Sequence, residues 1–79
     1  MTDRDKLLVI LAECYEQHEG NPKYNVAFDK ITEEEKKLIA DLKSECAIEG
    51  GAGVYHFTPE GYRRNKARVE ALRKLNPSS

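Results

Sequence analysis

The chain has 79 residues, of which 39% are hydrophobic and 34% are charged, and its formal net charge is −1. This composition is typical of one small folded domain over residues 1–79 and argues against an intrinsically disordered chain. No apolar run approaches the length of a membrane span, and the first six residues are too charged for a signal peptide, so we expect a cytoplasmic protein with no membrane partner.

The first part of the chain predicts an amphipathic helix over residues 3–19. Thr2 can cap its N-terminus, and Gly20 and Pro22 prevent its continuation. Apolar and aromatic side chains recur at helical spacing and form one stripe, which we expect to face the core. The members of this stripe are Leu7, Ile10, Leu11, Cys14, Tyr15 and His18.

The segment over residues 25–31 permits two interpretations. Asn25 could cap a single helical turn, or residues 24–28 could form a short edge strand. We favour the helical turn, which is too short to be a helix of average length. The side chains expected to point inward are Val26, Phe28 and Ile31.

Residues 33–46 predict the middle helix, which Thr32 precedes as the N-cap. Glu35 lies three residues after Thr32, so each can bond the free backbone N–H of the other in a capping box. The three glutamates at positions 33–35 also place negative charge at the positive end of the helix dipole. The expected buried stripe is Leu38, Ile39, Leu42 and Cys46.

Two short strands follow, over residues 47–49 and 54–57, and a glycine-rich turn at residues 50–53 joins them. Because side chains alternate along a strand, Tyr55 and Phe57 share one face of the second strand. The sequence therefore predicts an antiparallel β-hairpin with one buried face.

The last predicted helix spans residues 59–75. Thr58 is its expected cap, and Pro59 occupies the first helical position, where the missing N–H has no cost. Residues 76–79 are expected to form a flexible tail. The residues expected to pack inward from this helix are Tyr62, Val69 and Leu72.

The order of these elements, together with the segments LLVILAECY, ITEEEKKLIADLKSECAI and VYHFTPEGYRR, resembles the winged helix-turn-helix family. The resemblance implies an α+β fold in which three main helices pack on a two-stranded antiparallel hairpin. It also implies a small phage or bacterial transcription regulator that binds duplex DNA. The chain departs from the family in three places: the helix before Thr32 is nearly absent, the wing is short, and Cys46 replaces a left-handed glycine.

Charge is distributed unevenly along the chain. Residues 1–61 carry 7 basic and 13 acidic side chains, whereas residues 62–79 carry 6 basic and 1 acidic side chain. The three glutamates that begin the middle helix disfavour ordinary reading of a DNA groove, because phosphate attraction supplies most non-specific affinity. The candidate nucleic-acid contacts are Arg63, Lys66, Arg73 and Lys74 on the last helix and Lys36, Lys37 and Lys43 on the middle helix.

Three interpretations of the basic last helix stay open. Its cations could contact phosphate, could pair with the acidic part of the same chain or of a second copy, or could form a solvated face that favours the helix dipole. An alternative function is therefore a winged-helix module for contact with a protein partner or for homodimerisation, with no DNA binding.

Catalytic and metal-binding patterns are weak in this sequence. Cys14, His18, Cys46 and His56 could be considered as a Cys2His2 set, but no C-x2-C pair is present, and we expect two reduced core cysteines and no metal. No serine or cysteine lies in a known nucleophile pattern. We expect no enzymatic activity, no cofactor and no small-molecule ligand.

Overall fold

The computed structural model describes residues 2–28 and 30–75, which form three helices and a three-stranded antiparallel sheet. The strand order is β1-β3-β2, so the last strand lies in the centre. The predicted tail at residues 76–79 lies outside the described residues. The elements are α1 (Asp3–Gln17), β1 (Val26–Ala27), α2 (Glu33–Ser44), β2 (Ile48–Gly51), β3 (Val54–Phe57) and α3 (Pro59–Leu75).

The α1 helix begins as predicted, but its buried face differs from the predicted stripe. Thr2 and Asp5 form a capping box, in which the Thr2 hydroxyl accepts the Asp5 N–H at 3.2 Å. Ile10 is 44% exposed, so its assignment to the core was wrong. The helix contacts α3, β3 and α2 at once, which turns a broad face inward. The buried residues of α1 are Leu7, Leu8, Leu11 and Ala12.

The α1 helix also ends two residues earlier than expected, at Gln17. The backbone turns into the left-handed region at Glu19, where φ is 53°, and stays there at Gly20. A left-handed residue ends the helical hydrogen-bond pattern, so Glu19 lies outside the helix.

The favoured helical turn near residue 25 was wrong, and the alternative edge strand is present. Val26 and Ala27 pair with Tyr55 and Val54 of β3, and the Phe28 N–H donates to the Gly53 carbonyl at 2.9 Å. Without this segment, the β3 edge of the hairpin would be unpaired. Pairing of β1 with β3 satisfies backbone N–H and C=O groups that a single helical turn would leave without partners. The sheet therefore has three strands instead of two. The inward side chains of the segment are Val26, Phe28 and Ile31, as predicted.

The capping box predicted for α2 is confirmed. The Thr32 hydroxyl accepts the Glu35 N–H at 3.2 Å, and the Glu35 carboxylate accepts the Thr32 N–H at 3.0 Å. The helix ends at Ser44 because Cys46 adopts the left-handed conformation, with φ of 59°. This break removes Cys46 from the helical stripe and leaves it exposed, so its predicted place in the core was wrong. The stripe residues that are buried are Leu38, Ile39 and Leu42.

The junction between β3 and α3 holds the end of the sheet against the last helix. Thr58 caps α3 as predicted: its hydroxyl accepts the Gly61 N–H at 3.0 Å and lies 3.1 Å from the Ala47 carbonyl. Tyr55 and Phe57 are both buried on one face of β3. The first turn of α3 therefore packs directly on the connection between α2 and β2. The β2 strand begins one residue later than predicted, at Ile48.

Candidate nucleic-acid interface

The outer surface of α2 has two sides of different charge. On one side, the Asp41 carboxylate lies 3.5 Å from the guanidinium of Arg4 in α1. On the other side, the Lys43 ammonium lies 5.4 Å from the centroid of the Tyr55 ring in β3, a cation–π distance. The acidic side of α2 is therefore directed toward α1, and the opposite side is directed toward the hairpin.

Three lysines lie on the hairpin side and at the outer centre of α2, and we call this surface, defined as Lys36, Lys37 and Lys43, the lysine side. Lys36 precedes Lys43 by two helical turns on the hairpin side, whereas Lys37 is turned about 120° from Lys43 and lies near the outer centre of the helix. Lys36 pairs with Glu33 at 3.6 Å, but both side chains are exposed, and such a pair contributes little. Among residues 2–28 and 30–75, Lys37 and Lys43 have no carboxylate within 4.0 Å. The lysine side therefore keeps its positive charge available to a ligand.

The β2–β3 hairpin, whose Tyr55 ring lies under Lys43, has glycine at three of the four positions 50–53. Gly50 and Gly53 have φ values of 123° and 84°, which only glycine adopts without strain. A Cβ on Gly51 would meet nothing within 4 Å, so the fold does not require glycine at that position. An external molecule can approach the exposed backbone of Gly51 more closely than it could approach any residue with a side chain.

The cations of α3 are divided by the fold into paired and open groups. Arg73 makes a bidentate pair with Glu16 of α1, with N···O distances of 2.7 and 3.1 Å. Arg64 pairs with Glu60 at 3.2 Å, and Arg68 pairs with Asp5 of α1 at 3.4 Å. The candidate cations with no carboxylate within 4.0 Å in the described part of the chain are Arg63, Lys66 and Lys74.

Arg73 thus joins α3 to α1 through its ion pair with Glu16. Its hydrogen bonds hold the pKa of Glu16 below the usual range, and the same contact raises the pKa of Arg73. The hydroxyl of Tyr62 donates to Glu16 at 2.6 Å, and this bond, with burial, raises the pKa of Tyr62 to about 12. The Tyr62 ring stacks on Tyr15 with centroids 4.3 Å apart. Of the four predicted contacts on α3, Arg73 is therefore engaged within the chain.

The raised pKa of Tyr62 predicts how its hydrogen bond depends on pH. A group whose pKa is higher in the folded state adds stability that is complete below the unfolded pKa, near 10 for tyrosine, and is lost as pH rises toward 12. At neutral pH, Tyr62→Phe should lower the free energy of unfolding by about 0.5–1 kcal/mol, since the partly exposed Glu16 is screened by water. Urea denaturation from pH 7 to pH 12 should show this difference shrinking toward zero.

Tyr24→Phe is the matched control for this measurement, because the hydroxyl of Tyr24 has no hydrogen bond within residues 2–28 and 30–75. The control should match the original chain at every pH. A Tyr62→Phe difference that stays constant to pH 12 would contradict the assigned bond.

The cysteines and histidines considered for a metal make other contacts. The His56 Nδ1 lies 2.6 Å from the Asn25 Oδ1, and the His18 ring stacks on Tyr24 with centroids 3.8 Å apart. Burial raises the pKa of the Cys14 thiol, which disfavours the thiolate that binds metals. Within the described residues, no three His, Cys, Asp or Glu side chains form a group that could hold a metal ion.

A groove of about 450 Å³ lies between the N-terminal part of α1, α2 and α3, with Leu8 and Leu38 in its lining. Two arginines also line it, but Arg4 is paired with Asp41 and Arg68 is paired with Asp5. These pairs offset the positive charge that an anion would need. The groove therefore does not compete with the lysine side as a site for phosphate.

Comparison of the chain with models of protein families, with curated proteins and with solved structures gave no match. The contacts described above define a small α+β protein in which a lysine-bearing helix lies beside a glycine-rich hairpin. No helix among the described residues has the length and apolar character needed to cross a bilayer. The winged helix-turn-helix resemblance stays a prediction.

The sequence did not predict the contact between Arg4 and Asp41 on this surface. Arg4 and Asp41 are 37 positions apart, and no local pattern connects them. The seven-residue spacing of Lys36 and Lys43 places both on one side of a helix, and both were among the contacts predicted from the sequence.

Proposed function

We propose that this protein binds duplex DNA as a small winged-helix transcription regulator, with α2 in the major groove and the β2–β3 hairpin on the adjacent phosphate backbone. The position of Lys43 over Tyr55 carries this proposal, because it directs the lysine side of α2 toward the hairpin. Two elements that would contact the same duplex are thereby brought to one surface.

The acidic residues of α2 weigh less against DNA binding than their number suggests. Asp41 is paired with Arg4, and Glu35 is occupied by the backbone N–H of Thr32. The ion pair with Arg4 therefore offsets part of the negative charge of α2 that would otherwise repel phosphate.

The hairpin tip supports the same proposal. The exposed backbone of Gly51 is free of side-chain atoms although the fold tolerates a Cβ there. Backbone N–H groups are common phosphate contacts, and they need this kind of close approach. We expect the tip to lie against sugar and phosphate without reading bases.

Binding to a labelled random-sequence duplex, measured by fluorescence anisotropy over a range of salt, tests the function. Three phosphate contacts predict that the logarithm of the association constant falls with the logarithm of salt with a slope of about −2.7 from these lysines alone. A variant with Lys36, Lys37 and Lys43 changed to glutamine should bind weakly to all sequences and lose about that much slope.

The matched control has Arg63, Lys66 and Lys74 on α3 changed to glutamine, which removes the same charge. We expect it to keep most of the affinity and slope of the original chain. Loss of slope in the α3 variant alone would move the contact to the surface first predicted from the sequence. No binding of the original chain at low salt would reject DNA binding altogether.

A further inference from the structure

The outer face of α3 has a charge pattern that the proposed contact with DNA does not use. This face lies opposite Val69 and Leu72, which are buried against the rest of the protein. Its central residue, Ala67, is exposed, and charged side chains lie on both sides of it along the helix. The exposed residues of this outer face are Glu60, Arg63, Arg64, Ala67, Glu70, Ala71 and Lys74.

We propose that this face binds the same face of a second copy of the chain, with the two α3 helices antiparallel and a two-fold axis at Ala67. In such an arrangement, a residue before Ala67 in one copy opposes a residue the same distance after Ala67 in the other. The test of the pattern is therefore whether charges of opposite sign fall at equal distances from Ala67.

They do so for one pair, and a second pair differs from equal distance by one residue. With a rise of 1.5 Å per residue, Glu60 and Lys74 lie about 10.5 Å on either side of Ala67, so Glu60 of each copy faces Lys74 of the other. Glu60 also pairs with Arg64 of its own chain at 3.2 Å, but both side chains are exposed and the carboxylate can accept from both cations. At about 100° per residue, both lie within about 20° of the line through Ala67. Symmetry makes this contact twice.

The second pair lies beside that line. Arg63 is about 6 Å before Ala67 and Glu70 about 4.5 Å after it, so Arg63 would lie within about 1.5 Å in height of Glu70 of the second copy. Both are on the same side of α3, as a two-fold axis requires. Neither has an oppositely charged partner within 4.0 Å in the described part of the chain. The second copy would supply that partner.

Short side chains at the centre allow the two helices to approach. Ala67 and Ala71 are both exposed and leave space for axes about 8 Å apart. One helix face is smaller than a standard stable interface, so the dimer should be weak and should depend on protein concentration. It should also depend on salt, because its charge pairs lie at the surface.

Sedimentation equilibrium in the absence of DNA, at low salt and over a wide range of protein concentration, tests this interface. Arg63→Glu and Glu70→Arg each turn two attractive pairs into two repulsive ones, and each should raise the dimer dissociation constant about tenfold. The double variant Arg63→Glu/Glu70→Arg restores opposite charges in exchanged positions, so it should return to within about threefold of the original value.

Lys66→Glu is the matched control, because it makes the same charge change on α3 at a position turned about 100° from Ala67. It should leave the dissociation constant unchanged, and circular dichroism should show the same helix content in all variants. A monomer at every concentration overturns the proposal. A double variant whose dimer dissociation constant is as high as that of the single variants also overturns it. The same conclusion holds if the two single variants and the double variant all lose binding to DNA.

Discussion

Replacing Gly61 by alanine is expected to destabilise the protein by about 3 kcal/mol or more, which is most of the stability of a domain this small. A Cβ at this position would lie 1.9 Å from the carbonyl oxygen of Ala47 and 2.6 Å from its carbonyl carbon. The carbonyl cannot move away easily, because it accepts the Thr58 N–H at 2.9 Å and Ala47 is 1% exposed. Urea denaturation followed by circular dichroism measures the loss.

Gly51→Ala provides the control for the general effect of removing a glycine. Its Cβ would meet nothing within 4 Å, so the free energy of unfolding should change by no more than about 0.5 kcal/mol. If Gly61→Ala were as stable as Gly51→Ala, α3 would not pack on the α2–β2 connection at the distance described.

Replacing Phe57 by alanine is expected to cost about 3–5 kcal/mol, which should leave the chain largely unfolded at room temperature. Phe57 is 1% exposed and is among the largest fully buried side chains. Its ring meets Tyr62 edge to face with centroids 6.4 Å apart, so it joins β3 to α3. Thermal unfolding and the dispersion of amide signals in NMR spectra would both report the loss.

Phe57→Leu keeps most of the buried volume and should cost less than about 1.5 kcal/mol. A truncation at the exposed Val54 of the same strand should cost little, because its side chain is 38% exposed. Equal effects of Phe57→Ala and Val54→Ala would contradict the assignment of the two faces of β3.

Helix N-termini could be predicted from the sequence because their determinants are local. The caps at Thr2 and Thr32 depend on a hydroxyl and a carboxylate three residues apart, and both capping boxes form. The bounds of α3 follow from Thr58, Pro59 and the apolar spacing after them, and the helix spans Pro59–Leu75 as predicted. Each of these interactions joins residues that are neighbours on one helix turn.

The edge strand could not be chosen from local pattern alone. Val26 and Ala27 are a strand because Tyr55 and Val54 offer them backbone partners, and those partners lie far along the chain. In isolation, the segment has too few residues to favour either conformation, so its structure is decided by pairing.

The buried face of α1 and the pairing of charged side chains also depend on tertiary packing, although local sequence patterns indicated part of each. Periodicity identified α1 as amphipathic, but only packing against α3, β3 and α2 selected Leu8 and Ala12 for the core and left Ile10 exposed. Composition identified a basic C-terminal segment, but only the fold joined Arg73 to Glu16, 57 positions away.

The sequence by itself determined the three helices, the hairpin and the cap at each predicted N-terminus, because those features depend on residues within a few positions of one another. The tertiary structure alone decided that a third strand forms, that Cys46 is exposed and that the lysine side of α2 is directed toward the hairpin. These features depend on which distant backbone and side-chain groups meet, and that is settled only when the elements pack together.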